Sequence, residues 1–273
     1  VPAGDAFLSF VRVRDPGRHR DYNRWHQLDH LPENRALAGI ACGERWVHSP
    51  ACGEVARPVA GPLDGVHYAA LYLFREPTAA SVAAWQDLAE RSFQWGRRPD
   101  RAWVERPLMG FFSVVAAAVA ARLALSPEAL PLLPARGVHI TVSRPHEPHG
   151  DGAEAAWRWH DRVGTPALLE TPGVAGVYLF SGISTTLDRG WRETEGSTTF
   201  DAGAGEPGQI RVRVCFLDCD PLDLGPAPGA PRPSEVEKAE QVLFEGPLET
   251  IVPRRWDWFD DEVVEEAAGG DRA

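Results

Sequence analysis

Apolar and polar positions along this chain follow two rhythms, and the rhythms come in the same order twice. Ala6 to Arg14 turns to strict alternation at its end, where Phe10, Val11 and Val13 meet Arg12 and Arg14, so it reads as a strand. Asp15-Pro16-Gly17 is turn chemistry that can open a helix, and the helix runs to about Ala38 before Gly39 stops it. Ile40 to His48 is a second strand, with Trp46 and His48 on one side by period two. A Pro/Gly-rich loop from Ser49 to Gly65 follows, then a strand from His67 to Phe74. A helix from Thr78 to about Trp95 comes next, and a strand from Leu108 to Val115. The order is β-α-β-β-α-β, the split βαβ unit of ferredoxin-like folds.

A second pass begins at Gly137. Strand Gly137–Ser143, helix Glu154–Glu170, strands Val174–Ser181 and Gln209–Leu217, a shorter helix Pro233–Phe244 and a strand Leu248–Val252 keep the same order. At a spacing of 134 residues, Trp25-His26 falls on Trp159-His160, Pro32 on Pro166, and Gly39-Ile40 on Gly173-Val174. Coincidences at one spacing point to an internal duplication. The expected organisation is a first unit over 1–115, a linker over 116–136 that touches both units, a second unit over 137–255 and an acidic tail over 256–273. The polar stretch from 182 to 208 is long enough for a lid, and residues 262–273 are expected to pack weakly.

The first helix carries the candidate chemistry. His26, Asp29, His30 and Glu33 stand at i, i+3, i+4 and i+7, so they share one face. At about 100° per residue this face also holds Tyr22 and borders Trp25, while Arg24, Gln27 and Arg35 lie opposite. Polar groups lying among aromatic ones suit a pocket wall better than a solvated surface. A bland reading also fits: a structural hydrogen-bond network, or an exposed i,i+4 cluster. The second pass has Val163, Gly164 and Ala167 where the first has Asp29, His30 and Glu33, and keeps only His160. That asymmetry favours one chemical site, in the first half, with a smaller or more apolar pocket in the second. His30 would be the acid or base, Asp29 or Glu33 its orienting carboxylate, and His26 a second proton carrier. Tyr22, Trp25, Trp46 and Phe10 would line the pocket, and His160 would mark its counterpart.

Composition narrows the classes. A net charge of −11 argues against an electrostatic nucleic-acid binder. There is no run of 18 apolar residues, so no membrane span is expected, and the first residues lack the pattern of a signal peptide. Abundant Arg, Ala, Gly and Pro suggest a GC-rich bacterial genome. The four cysteines do not form paired zinc-ligand motifs and read as buried thiols of a cytoplasmic protein.

Tyr22-Asn23-x-Trp25-His26-x-x-Asp29-His30-Leu31-Pro32-Glu33, followed by Gly39-Ile40 and a strand with Arg45 and Trp46, resembles dimeric α+β barrel proteins, close to the EthD-like group. The resemblance implies two fused ferredoxin-like units that make within one chain the barrel other members make by dimerising. It also implies a pocket in each half between sheet and helices, and matches His30 to the family's helix histidine. The superfamily spans cofactor-independent monooxygenases, cyclases, isomerases, dehalogenases and haem enzymes, so fold does not choose the reaction. The expectation is a cofactor-independent isomerase, cyclase or monooxygenase acting on an aromatic or polyketide-like small molecule, with further homo-oligomerisation open. The alternatives are a haem or divalent-metal enzyme, or a binding protein without catalysis.

Overall fold

The computed structural model describes residues 4–98, 103–187 and 205–260. The elements are β1 (Asp5–Val13), α1 (His19–Trp25), a π-helical turn (His26–His30), α2 (Leu31–Arg35), β2 (Ile40–Val47), α3 (Pro50–Val55), β3 (Tyr68–Phe74), α4 (Thr78–Gln94) and β4 (Val104–Val119). The second half follows with β5 (Gly137–Pro145), α5 (Asp151–Trp159), a π-helical turn (His160–Gly164), α6 (Thr165–Glu170), β6 (Val174–Leu187), β7 (Arg211–Leu217), α7 (Ser234–Ala239) and β8 (Glu240–Thr250).

The eight strands close into one barrel in the order β1-β3-β2-β8-β5-β7-β6-β4. Within each half the order is the same, β4-β1-β3-β2 and β8-β5-β7-β6, and every pairing is antiparallel. The halves join where β2 meets β8 and where β4 meets β6. Closure removes the sheet edges that each half would expose alone. The barrel interior is apolar: Leu8, Phe10, Trp46, Phe112, Ile140, Tyr178, Phe180 and Phe216 belong to one buried cluster. Helices cover the outer face, with a separate apolar cluster in the second half around Leu168, Val177 and Cys215.

Several boundaries move. β4 continues to Val119, so the segment expected as a linker begins inside a strand. The rest of it does touch both halves: Cys42 Sγ donates to the Pro131 carbonyl at 3.3 Å, and Tyr178 Oη donates to the Pro127 carbonyl at 2.8 Å. The expected loop after β2 contains the short α3. The last helix ends at Ala239, because Glu240 turns extended and pairs with Pro145. Strand β6 takes in residues 182–187 of the expected lid; residues 188–204 and the expected weak tail, 262–273, lie outside the described residues.

Glycine is required where the first helix hands over to β2. A Cβ on Gly39 would meet Ser81 of α4 at 2.6 Å, and its counterpart Gly173 has φ +88° with Cys219 Sγ 2.3 Å from where a Cβ would stand. All four cysteines are free; three are buried and Cys219 is partly exposed. No helix among the described residues is long and apolar enough to cross a membrane.

Candidate functional site

The first helix does not run as a regular α-helix through its polar face. The Leu31 N–H donates to the His26 carbonyl, five residues back, and the Thr165 N–H does the same to His160. Both wide turns come just before a proline, Pro32 or Pro166. Proline has no N–H to continue the ladder, and its ring would press on the carbonyl four residues earlier; the wider turn relieves that clash. The two turns sit at the same 134-residue spacing as the Trp-His pairs.

The π turn rearranges the expected face. Each of its residues advances by less than the roughly 100° of an α-helix, so Asp29 swings away from the sheet. Asp29 is partly exposed and paired with Arg97 at 2.9 Å, so it is not the partner of His30. Glu33 Oε1 lies 3.9 Å from His30 Nδ1, accepts from Ser92 Oγ at 2.8 Å and pairs with Arg97. Asn34 adds a second contact to His30: its Nδ2 lies 3.1 Å from His30 Nδ1 and 2.5 Å from the His30 carbonyl. With the amide donating to both, Nδ1 is the acceptor and the ring proton is assigned to Nε2.

His26 and His30 are 4% and 9% exposed, their rings 5.0 Å apart and perpendicular. Trp25 lies flat against His30 at 4.7 Å, and Tyr22 and Tyr72 close the sides. A surface cluster is therefore excluded. Burial holds His26 well below the usual histidine range and His30 at about 4; Glu33 opposes the shift of His30, while Arg98 and Arg106 add to both and Arg45 to that of His26. Both imidazoles are neutral at pH 7.

Arg45 is the group the sequence did not single out for chemistry. It is 3% exposed on β2, its guanidinium 3.9 Å from the Tyr68 ring centre and 4.8 Å from that of Tyr22. Nη1 donates to Asn23 Oδ1 at 2.8 Å, and Asn23 Nδ2 donates to Tyr68 Oη at 2.7 Å. His19 Nδ1 lies 2.8 Å from the same hydroxyl. No carboxylate pairs with Arg45 among the described residues, and its Nη2 has no hydrogen-bond partner there. Trp25 Nε1, His26 Nδ1 and Tyr72 Oη are buried without partners too. Native interiors rarely leave such atoms unpaired, and a cluster of them marks a place for a guest molecule or water. One signal was available beforehand: Arg45 stands next to Trp46 in β2, so by period two it faces the side opposite that tryptophan.

Two expected wall residues are elsewhere. Phe10 and Trp46 point into the barrel, where Trp46 packs on Phe216 at 6.3 Å. In a closed barrel both faces of a strand are buried, so apolarity alone does not separate the helix-facing side from the interior. Tyr22 and Trp25 do stand at the site. His160 lies in the second half, its Nε2 3.0 Å from Glu240 Oε1.

Beside its apolar cluster, the sheet of the second half carries a polar row, with Glu245, Thr141 and Arg213 abreast on β8, β5 and β7. Above them is a cavity of about 320 Å³ whose lining joins three arginines and two glutamates to Leu168, alanines and prolines. No cluster of three or more His, Cys, Asp or Glu suited to a metal ion occurs among the described residues. The guanidinium groups near His26 and His30 would oppose a bare dication there.

No protein-family model matches the sequence, and no curated protein does. Solved structures resemble the fold. A protein of Fusobacterium nucleatum described as a candidate monooxygenase aligns at a TM-score of 0.50 and 7% identity, over 93% of this chain and 96% of that one. An anthrone oxidase-like protein aligns at 0.49 and 10%, over 91% and 92%. A haem-binding protein of Thermus thermophilus aligns at 0.43 and 12%, over 98% and 96%. Eight antiparallel strands closed from two ferredoxin-like halves, with helices on the outside of each, give this chain the fold of the dimeric α+β barrel superfamily.

Proposed function

We propose that the chain is a small-molecule enzyme that moves protons without a resident cofactor, at the site between the first helix and the outer face of the first-half sheet. The observation that carries this is the buried Arg45 without a carboxylate, set among unpartnered polar atoms on His26, Trp25 and Tyr72. A buried cation is costly unless something offsets it. An oxygen that gains negative charge during reaction would do so, and would gain most where Arg45 is held ready. A carbonyl compound with an acidic C–H bond meets that description. His26 would take the carbon-bound proton, His30 would donate its Nε2–H to the carbonyl oxygen, and Arg45 would stabilise the enolate. Return of the proton at another carbon is isomerisation; attack of the enolate carbon within the molecule is cyclisation. The aromatic walls suit an aromatic or polyketide-like substrate.

The test is proton exchange. Enolisable aryl ketones are incubated with protein in deuterium oxide, and loss of the acidic C–H signal is followed by proton NMR. Exchange accelerated by the protein, and slowed about 10²–10⁴-fold by His26→Ala or His30→Ala, is expected. Exchange at the wild-type rate in both variants would remove the acid/base reading. An absorbance band in the Soret region, or stoichiometric metal in purified protein, would turn the reading to a cofactor enzyme.

A further inference from the structure

The cavity over the second-half sheet stands where the first half has its acid/base site, with Gly164 in the place of His30, and is separate from that site. Gly164 and Leu168 of the first helix in that half form one wall, Arg213 and Glu245 of the sheet the floor, and residues 226–232 the roof. Arg57 reaches it from the first half.

The charges there do not cancel. Glu245 is 1% exposed and saturated: Arg232 grips both its oxygens, Arg57 Nη1 donates to Oε2 at 3.1 Å, and Thr141 Oγ1 donates to Oε1 at 3.3 Å. These contacts hold its carboxyl at about 2, so it is ionised. Arg213 is left less committed. It is 8% exposed, lies 3.6 Å from Glu245, and donates from Nη2 to Thr141 Oγ1 at 2.9 Å. Its Nε has no partner among the described residues. Three arginines line the cavity against two glutamates, Glu245 and the exposed Glu237, so the lining itself carries one net positive charge, with Glu240 acting on Arg232 from outside it. His139 lies beneath, close enough for Arg213 to act on it, and burial holds it at about 4, so it adds no charge at pH 7. The remaining lining is apolar, from Leu168, Ala227, Ala230 and prolines. The volume stands at the small end of ligand cavities.

We propose that this cavity binds a small monocarboxylic acid with an apolar body, its carboxylate on Arg213 beside the Arg57–Arg232–Glu245 network and its apolar part against the 226–232 roof. One carboxylate balances the net charge of the lining and adds a partner for Arg213, which lines the cavity; a dianion would overshoot. Guanidinium binds carboxylate through two parallel hydrogen bonds, which suits a planar acid.

Isothermal titration calorimetry with 2-naphthoate and its neutral counterpart 2-naphthalenemethanol tests this on the full chain. Naphthoate is expected to bind at least tenfold more tightly than the alcohol. Arg213→Gln should bring naphthoate to the level of the alcohol, and Ala230→Phe should abolish binding of both by filling the cavity. Arg45→Met should leave naphthoate binding unchanged, which separates this site from the acid/base site. Absence of naphthoate binding to the wild type at millimolar concentration overturns the proposal. So does equal binding to wild type and Arg213→Gln, equal binding of acid and alcohol, or a loss confined to Arg45→Met. Should Arg213→Gln fail to fold, the Ala230→Phe and acid-versus-alcohol comparisons decide alone.

Discussion

At the scale of single residues, two histidines at matched helix positions do different work. His30 is fixed by Asn34 and faces a buried arginine environment, whereas His160 is tied to Glu240, which also accepts from Ser143 Oγ at 3.1 Å. His30→Ala is expected to slow the proton-transfer reaction about 10²–10⁴-fold with the fold retained. His160→Ala is expected to leave the rate within a few-fold and instead to lower stability by about 1–3 kcal/mol, because Glu240 loses its main buried partner. Rates and denaturation midpoints measured on both variants check the pair; a large rate loss from His160→Ala would place chemistry in the second half. Arg45 shows the limit of reading residues singly. An arginine in a strand is ordinary on a solvated face, and only burial against Tyr22 and Tyr68 makes this one a candidate for chemistry.

At the scale of elements, the π turn is the device that shapes the site. It keeps His26 and His30 inward four residues apart and turns Asp29 out to Arg97. Deleting Leu28, which is 56% exposed within the turn, would let α-helical bonding run through and set the two histidines three apart. The expected outcome is a folded protein by circular dichroism whose activity falls as far as that of His30→Ala. Full activity in the deletion would show that the turn is incidental. The close crossing at Gly39 is the second element-scale device. Gly39→Ala would drive a methyl into Ser81 and is expected to destabilise by about 1–3 kcal/mol, read as a lower melting midpoint.

At the scale of the molecule, burial of histidines makes acid the weak side of the stability profile. His19 is held at about 3, and His30, His48, His67 and His139 at about 4, mainly by burial. Each folded value lies below the unfolded value of about 6.5. Between roughly pH 4 and 6.5 the unfolded chain therefore binds more protons than the folded one, and stability falls as pH falls. Each such histidine contributes a slope of up to about 1.4 kcal/mol per pH unit, strongest near the middle of that window. Above pH 6.5 this contribution is fully present and flat. Denaturant midpoints measured from pH 4 to 8 should drop steeply below about 6; a flat profile would mean that the buried histidines are not held neutral.

Sequence alone determined the two-fold order of elements, the closing glycines and the inward histidines, because periodicity, turn chemistry and helix spacing are local properties. It also carried Pro32 and Pro166, just before which the two π turns formed. Three things depended on the tertiary structure. Phe10 and Trp46 went inside the barrel because closure buries both faces of each strand, and period two cannot say which face meets a helix. Asn34 and Glu33, rather than Asp29, came to lie against His30 because the wider turn changed the angles downstream. Arg45, and the arginines gathered around Glu245, took their character from neighbours far along the chain. Strand pairing brings Thr141, Arg213 and Glu245 side by side, and the charge of such a cluster exists only once they meet.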